Sequence, residues 1–269
     1  MSDQVATAEA TRAKGFYQQV ATLRKDAWWV EPAITVSMLS TFIIYTTWAA
    51  LVNAYYFVDP YLSPFYSPCL STTCADPTFG FLPWSLSPAI LILWAPAGFR
   101  LTCYYYRKAY YRSFWFSPPA CAVRDGQRLV KGYSGETRFP LLFHNLHRYF
   151  FYFATLVVLF LWWDTLVAFR FPTPDGHHEF GIGLGTLIML ANVSLLSLYS
   201  FSCHSCRHLC GGKLDVLSRS PTRLSLWRTV SHLNENHMQF AWASLISVMV
   251  TDLYIRLLSM GYISDLRIL

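Results

Sequence analysis

The chain has 269 residues, of which 54% are hydrophobic, 17% aromatic and 13% charged. So apolar a composition excludes an ordinary soluble domain and indicates an integral membrane protein. The net charge of +6 does not indicate nucleic-acid binding, because basic residues of a membrane protein mark its cytoplasmic face and its contacts with anionic lipid.

The N-terminal segment, residues 1–30, is polar and carries charged side chains along its length. It lacks the apolar core and the small-residue cleavage site of a signal peptide, so we expect it to stay in the cytoplasm. Its aromatic residues stand among basic ones and end in Trp28 and Trp29, which predicts a short helix in the membrane interface. A polar leader with an aromatic anchor explains the same pattern.

Five apolar stretches follow, each long enough to cross a bilayer as a helix. We therefore predict an all-α integral membrane protein, a bundle of five transmembrane helices over residues 31–262, with a short external tail at residues 263–269. The predicted spans are residues 33–56, 88–106, 147–169, 181–202 and 237–260.

The distribution of basic residues predicts the orientation. Eighteen of the 21 Lys and Arg residues precede the first span, lie between Arg100 and Arg148, or lie between Arg207 and Arg228. Cytoplasmic segments of membrane proteins carry an excess of Lys and Arg. We therefore expect these segments and the N-terminus on the cytoplasmic side of a multi-pass protein.

The predicted orientation also divides the cysteines. Cys69 and Cys74 fall in an outer loop, where oxidising conditions favour a disulfide across their short CxxxxC spacing. The other five fall on the reducing side, near the membrane boundary, where we expect free thiols or metal ligands. These five are Cys103, Cys121, Cys203, Cys206 and Cys210.

The densest group of metal-binding residue types closes the fourth span, at Cys203-His204-Ser205-Cys206-Arg207-His208-Leu209-Cys210. On one helix, the three cysteines would share a stripe and the two histidines would share the neighbouring stripe. Six of the eight histidines lie at the predicted cytoplasmic ends of spans three, four and five. The expected ligands are Cys203 and Cys206, with Cys210 in reserve, and His144 and His237, with His147, His204, His208 and His232 as alternatives.

Three kinds of metal centre are compatible with these residues. A Rieske-type [2Fe–2S] cluster uses two Cys and two His ligands, and its potential suits donation to a quinone, so we rank it first. A zinc site uses the same ligands, but zinc usually stabilises small domains. A b-type haem needs two His and leaves the thiols unexplained. The spacing matches no standard signature, and the thiols could also pack simply as small apolar side chains.

Polar residues inside the spans raise two further expectations. Asp252 and Arg256 stand four residues apart near the end of the fifth span and should pair with each other. Arg100 must either extend to the cytoplasmic interface or face a partner inside the bundle. Together with Tyr104 and Trp29, Arg100 is a candidate for lining a quinone head-group pocket.

Two segments carry a family resemblance, namely residues 103–123, CYYYRKAYYRSFWFSPPACAV, and residues 144–150, HNLHRYF. With five spans and a basic inner face, the chain resembles the cytochrome b-like, SdhC-type membrane-anchor subunit of a bacterial succinate dehydrogenase (respiratory complex II), in its single-chain, haem-poor form. The resemblance implies a location in the bacterial plasma membrane. It is compatible with a homo-oligomer of the whole complex.

The resemblance also implies partners and a cofactor. A flavoprotein would oxidise succinate on the cytoplasmic face, and an iron–sulfur subunit would pass electrons into the anchor, where menaquinone or ubiquinone is reduced. Di-haem anchors of this group take histidines from spans one, two, four and five. Because spans one and two of this chain contain no histidine, we expect the inner Cys/His cluster to replace haem as the relay.

The sequence thus predicts a membrane anchor and electron-transfer subunit of succinate:quinone oxidoreductase, which is not catalytic on its own. The alternatives are a non-redox five-helix scaffold or transporter-like protein that docks soluble partners, and a quinone-reducing anchor that binds haem b.

Overall fold

The computed structural model describes residues 26–27, 29–69, 74, 87–114, 137–139, 141–212 and 214–269. In these ranges the chain is largely helical. The α-helices are α1 (Val30–Val52), α2 (Pro88–Thr102), α3 (Tyr104–Phe114), α4 (His147–Val167), α5 (Leu184–Phe201), α6 (His204–Gly211), α7 (Pro221–Glu235) and α8 (His237–Ser259). The 3-10 helices are Pro64–Tyr66, Leu141–Leu146 and Leu217–Arg219.

Two short antiparallel hairpins connect the helices within the described ranges. The first joins β1 (Phe57–Val58) to β2 (Tyr61–Leu62), and the second joins β3 (Arg170–Pro172) to β4 (His178–Phe180). In the second hairpin Phe171 pairs with Glu179. The predicted interfacial helix within residues 1–30 falls mostly outside the described residues, as does Cys121.

A helix lies at each of the five predicted spans, which confirms an all-α membrane protein. By length and composition, four helices in the described part of the chain could cross a membrane, and the apolar helix α2 is shorter. At 1.5 Å per residue α2 is about 22 Å long, less than the hydrocarbon core of roughly 30 Å. The predicted helix through residue 106 is interrupted at Cys103, beyond which α3 begins.

The end of the first span and the start of the fourth also differ from prediction. Helix α1 ends at Val52 and not at residue 56, because Asn53 and Tyr55 adopt positive φ angles of 47° and 59°, which a right-handed helix cannot continue. The fourth span begins at Leu184 and not at residue 181. Before it, the Ile182 amide hydrogen-bonds to the Leu269 carbonyl instead of entering the helix.

The side chains are distributed as lipid requires. Apolar residues are exposed on the long helices, among them Ile44 (70% exposed) and Trp163 (65%). Polar residues such as Thr165 and Asn192 are buried in their place. In a bilayer the exposed apolar groups contact lipid at no cost in free energy, while polar groups need hydrogen-bond partners within the protein.

The chain divides into two compact units, residues 1–41 with 103–144 and residues 42–102 with 145–269. In the second unit, α5 packs most extensively against α8, and α4 packs against both α2 and α5. Outside the long helices of this unit, α6 packs on α7. The Arg207 guanidinium lies over the Trp227 ring at 4.8 Å, and its Nε donates to Ser231 Oγ at 2.9 Å.

A buried ion pair joins parts of the second unit. Arg256 Nε donates to Asp252 Oδ2 at 2.7 Å, and the two side chains are 1% and 0% exposed. Tyr45 and Ser63 also donate to the Asp252 carboxylate, and Arg256 also donates to the carbonyls of Ala54 and Ala49. The predicted pairing of Asp252 with Arg256 is confirmed.

The C-terminal tail packs at the start of α5. Gly183 and Arg267 form an antiparallel bridge. Asp265 accepts hydrogen bonds from the Gly185 amide and from the hydroxyls of Tyr61 and Tyr254. Since the residue that caps α5 is Gly183 and offers no side chain, the Asp265 carboxylate takes the place of a helix cap.

The predicted disulfide between Cys69 and Cys74 is present. The two residues are five positions apart in sequence, and the bridge closes a loop after β2.

Candidate functional site

Four helix ends meet at one end of the second unit. Helix α2 ends at Thr102 and α5 ends at Phe201, while α4 begins at His147 and α8 begins at His237. Antiparallel packing therefore brings side chains from all four helices together. We call this group the His–Cys cluster and define it as Phe99, Arg100, Thr102, His147, Tyr199, Ser202, Cys203 and His237.

His147 is buried and contacted on three sides. Its Nδ1 lies 2.9 Å from Thr102 Oγ1, and its Nε2 lies 3.0 Å from Cys203 Sγ. The Phe99 ring stacks on the imidazole at 4.9 Å between centroids, with 7° between the planes. These contacts fix both the position and the rotation of the ring, and they bring an imidazole nitrogen and a thiol from separate helices together.

His237 has a similar environment on α8. Its Nδ1 lies 2.7 Å from Ser202 Oγ, and its ring stacks on Tyr199 at 5.2 Å. Asn234 holds the backbone at the same point, since its side-chain amide donates to the Ser202 carbonyl at 2.7 Å. Tyr199 also contacts Phe99, so the rings of the two histidines are connected through two aromatic side chains.

Arg100 faces a partner inside the second unit. Its guanidinium donates to Ser244 Oγ at 3.0 Å and to the Ala241 carbonyl at 3.3 Å, both on α8. It also lies over the Tyr199 ring, 4.6 Å from the centroid. The hydroxyl, the carbonyl and the ring face orient the guanidinium at the cluster. The side chain is therefore a source of positive potential at the cluster.

The predicted stripe of three cysteines on one helix is wrong for Cys203. Cys203 is the N-cap of α6 with extended backbone angles (φ −66°, ψ 146°), so it lies outside the helix and contacts His147. Cys206 and Cys210 lie one turn apart on α6 and interact with each other. Burial, and then the neighbouring Cys210 thiol, raise the pKa of Cys206 to about 11, so Cys206 is a neutral thiol at physiological pH.

The other predicted imidazole ligands of the second unit are exposed. His204 is exposed on α6. His208, also on α6, accepts a hydrogen bond from Arg148 at 2.9 Å. His232 is exposed on α7 and lies 3.3 Å from Glu235. None of these positions provides the burial that His147 has.

In the first unit, His144 is buried at 6% exposure in the 3-10 helix that precedes α4. The Tyr110 hydroxyl lies 3.2 Å from His144 Nε2, and the Tyr104 ring is 6.4 Å away. Burial raises the pKa of Tyr110 above its ordinary value, so this hydroxyl stays protonated. The predicted quinone-site residues Tyr104 and Trp29 are 50% and 60% exposed.

The comparisons with known proteins decide the family. The family described as actinobacterial succinate dehydrogenase subunit SdhC matches residues 30–261. The chain belongs to this family. A solved chain of the Mycobacterium smegmatis Sdh1 complex in the apo form is 47% identical, with a TM-score of 0.80 over 92% of this chain and 94% of that chain. No curated protein matches.

The predicted recognition of an SdhC-type subunit is thus confirmed. As a member of the family, the chain is a multi-pass membrane protein and a subunit of succinate dehydrogenase, and it acts together with the other subunits of that complex. A scaffold unrelated to this enzyme and a transporter-like protein are therefore excluded as identities.

The four-ligand set predicted for this SdhC-family subunit stays a prediction. Across the ranges that the structure describes, no three His, Cys, Asp or Glu side chains form a group that could hold a metal ion. The second unit supplies a contacting pair, His147 and Cys203, whereas a Rieske-type centre needs four ligands. Cys206 and Cys210 pair with each other on α6.

Sequence reasoning did not single out Thr102, Ser202, Phe99 and Tyr199. The two hydroxyl residues stand at the ends of spans, where Ser and Thr are common and carry no signal of their own. The two aromatic residues stand among many others in a chain that is 17% aromatic. Only the packing of four helix ends distinguishes them.

Proposed function

We propose that this subunit anchors succinate dehydrogenase in the membrane and delivers the electrons of succinate to a quinone at the His–Cys cluster. The observation that carries this proposal is the meeting of a half-buried cation and imidazole, Arg100 and His237, with the buried His147 and Cys203 at four helix ends. Ionisable side chains within membrane spans are costly and usually functional. Packing alone gives no reason to gather them here.

The chemistry of the reaction fits these side chains. Oxidation of succinate to fumarate releases two electrons and two protons, and reduction of a quinone to a quinol consumes the same number of each. Negative charge develops on the quinone oxygens as electrons arrive, and a nearby guanidinium favours it in a region of low dielectric constant. Arg100 is the candidate for this role, with Tyr199 and His237 beside it.

Two further groups complete the proposed quinone site. An imidazole can pass the protons that quinol formation requires, and His237, held by Ser202, is the candidate. Trp29 and Tyr104 remain proposed quinone-binding residues. The quinone would be menaquinone or ubiquinone, since both have the same ring oxygens.

We also propose that a Rieske-type [2Fe–2S] centre occupies the His–Cys cluster. The chemistry of the donors supports it: Cys203 and His147 are buried, come from separate helices and have a sulfur and a nitrogen 3.0 Å apart. His237 is the further imidazole that we propose. When bound, such a centre carries single electrons. The described residues provide one contacting His–Cys pair and not the four ligands of such a centre. Haem b, which needs two imidazoles, remains an alternative.

Spectra of the purified complex test the iron proposal. We expect a reduced [2Fe–2S] signal of low average g in addition to the signals of the soluble iron–sulfur partner. Cys203→Ser should abolish that signal, and Cys210→Ser, which changes a thiol on α6, should preserve it. A Soret band would favour haem b instead. A signal that survives Cys203→Ser would contradict the assignment.

Turnover of the complex tests the quinone site. Arg100→Gln should lower succinate-driven quinone reduction by at least tenfold, as expected when one electrostatic stabiliser is lost. Reduction of a dye by the soluble subunits should be unchanged. Arg267→Gln is the control, because Arg267 is half-exposed and pairs with Glu179. Equal quinone turnover in the Arg100→Gln and Arg267→Gln variants would exclude Arg100 from the site.

We infer that the His–Cys cluster faces the cytoplasm, together with the N-terminus. The concentration of Lys and Arg near that end supports this orientation. A flavoprotein and an iron–sulfur subunit would then dock at this face, and the complex could form a homo-oligomer. Reporter fusions at the two termini test the orientation, since five spans place the N-terminus inside and the C-terminus outside.

A further inference from the structure

The two imidazoles of the His–Cys cluster share one arrangement. In each, Nδ1 contacts the hydroxyl of a side chain at the end of another helix, Thr102 for His147 and Ser202 for His237. The hydroxyl residues are 2% and 0% exposed. These contacts lie on opposite sides of the Phe99–Tyr199 pair, so the arrangement occurs twice within one cluster.

The protons of the hydroxyls are already committed. Thr102 Oγ1 donates to the Gly98 carbonyl at 2.7 Å, and Ser202 Oγ donates to the Tyr199 carbonyl at 3.1 Å. A carbonyl can only accept, and a hydroxyl has one proton to donate. Each hydroxyl oxygen therefore faces its imidazole as an acceptor, and the proton of each contact belongs to Nδ1.

We infer that Thr102 and Ser202 are positioning residues that hold His147 and His237 in the Nδ1–H tautomer. The tautomer of a histidine is set by the hydrogen bond of its other nitrogen, so the Nε2 of both rings keeps its lone pair. This inference rests on the proposed function, because a nitrogen lone pair is what a metal ligand or proton acceptor needs.

The tautomer explains the contact between His147 and Cys203. With a lone pair on Nε2, the Cys203 thiol donates its S–H across the 3.0 Å contact. The Thr102 hydroxyl, anchored on the Gly98 carbonyl, thus decides which atom of the His147–Cys203 contact carries the proton.

Solid-state nitrogen and carbon NMR of histidine-labelled, iron-free full chain in lipid bilayers reads the tautomer directly. His147→Gln and His237→Gln assign the two signals by their loss. We expect both rings in the Nδ1–H form. Thr102→Val keeps the shape of the side chain but removes the hydroxyl, and it should lower the Nδ1–H to Nε2–H ratio of His147 by about tenfold, the effect of one hydrogen bond.

Three controls separate positioning from packing. Thr102→Ser restores the hydroxyl and should restore the tautomer. Thr165→Val removes an equally buried hydroxyl that donates to the Leu161 carbonyl, and it should leave His147 unchanged. Ser202→Ala should shift His237 alone. A His147 ring that is Nε2–H in the native chain, or that ignores Thr102→Val, would overturn the inference.

This readout is independent of the proposed function. Tautomers are measured without iron, quinone or turnover. If the tautomers are as expected but the complex shows no cluster signal and no effect of Arg100→Gln, the proposed function fails alone. If the spectra and turnover behave as proposed but the Nε2–H form is found, only the roles of Thr102 and Ser202 fail.

Discussion

Removing the Asp252 carboxylate should destabilise the subunit more than removing any exposed carboxylate. In Asp252→Ala the Arg256 guanidinium, 1% exposed, would keep the carbonyls of Ala54 and Ala49 and the ring faces of Trp48 and Tyr66, but no anion among these contacts. Breaking a buried pair in this way costs about 3–5 kcal/mol, because it leaves an uncompensated charge. The hydroxyls of Tyr45 and Ser63 would also lose their acceptor, so we expect the upper part of that range.

The charge, and not the lost packing volume, should cause most of this loss. Replacing both partners, as in Asp252→Leu with Arg256→Met, removes the stranded cation and should recover all but about 1–2 kcal/mol, as buried pairs replaced by apolar residues often do. Asp252→Asn keeps the hydrogen-bonding shape without the charge and should fall between the two. The ordering of the three variants is therefore the diagnostic result.

Equilibrium unfolding of the full chain in mixed detergent micelles measures these free energies. Asp175→Ala, at an exposed position between β3 and β4, is the matched control and should change the free energy of unfolding by less than about 0.5 kcal/mol. If Asp252→Ala loses less than about 1 kcal/mol, or the double variant is no more stable than the single one, the electrostatic reasoning is refuted.

Three further outcomes are expected elsewhere in the chain. Asp265→Ala removes the acceptor of three donors at the start of α5 and should lower the free energy of unfolding by about 2 kcal/mol in the same titration. The control Glu179→Ala breaks an exposed ion pair and should lower it by at most about 1 kcal/mol. Equal losses in the two variants would contradict the capping role of Asp265. Because the pKa of Cys206 is raised to about 11, alkylation of this thiol in the folded chain should be slow near neutrality and accelerate roughly tenfold per pH unit up to that value. Mass spectrometry follows the reaction. An alkylation rate that levels off near pH 8.5, the pKa of a free thiol, would show that the thiol is not buried. Arg207→Ala removes the contact with Trp227 that holds α6 on α7, and limited proteolysis should then cut the chain between these helices several-fold faster. Arg207→Lys should be cut at a rate closer to that of the native chain. Unchanged cleavage of Arg207→Ala would show that the contact is dispensable.

The sequence predicted those features whose cause lies in local spacing. Asp252 and Arg256 stand one helical turn apart in an apolar span, so each is the other's nearest charged partner. Cys69 and Cys74 stand on a short loop, where a disulfide needs little reorganisation of the chain. In both cases the partners are neighbours in sequence, and no knowledge of helix packing was required.

The candidate site depends on packing and was predicted less well. Residues 200–206 contain no Pro or Gly, so nothing in them indicates that a separate helix begins at His204 with Cys203 outside it. His144 and His147 are three residues apart and both buried, and a helical pattern alone cannot tell which one contacts a thiol. The two acceptors to which Arg100 donates, Ser244 and Ala241, lie on α8, more than 140 residues away.

A density map of the whole complex with its quinone tests the central claim most directly. We predict a quinone ring with one oxygen within hydrogen-bonding distance of Arg100, and the ring close to Tyr199 and His237. Density for iron should touch Cys203 Sγ and His147 Nε2. A quinone bound away from this end of the second unit, with the His–Cys cluster packed and free of metal, would contradict the proposal.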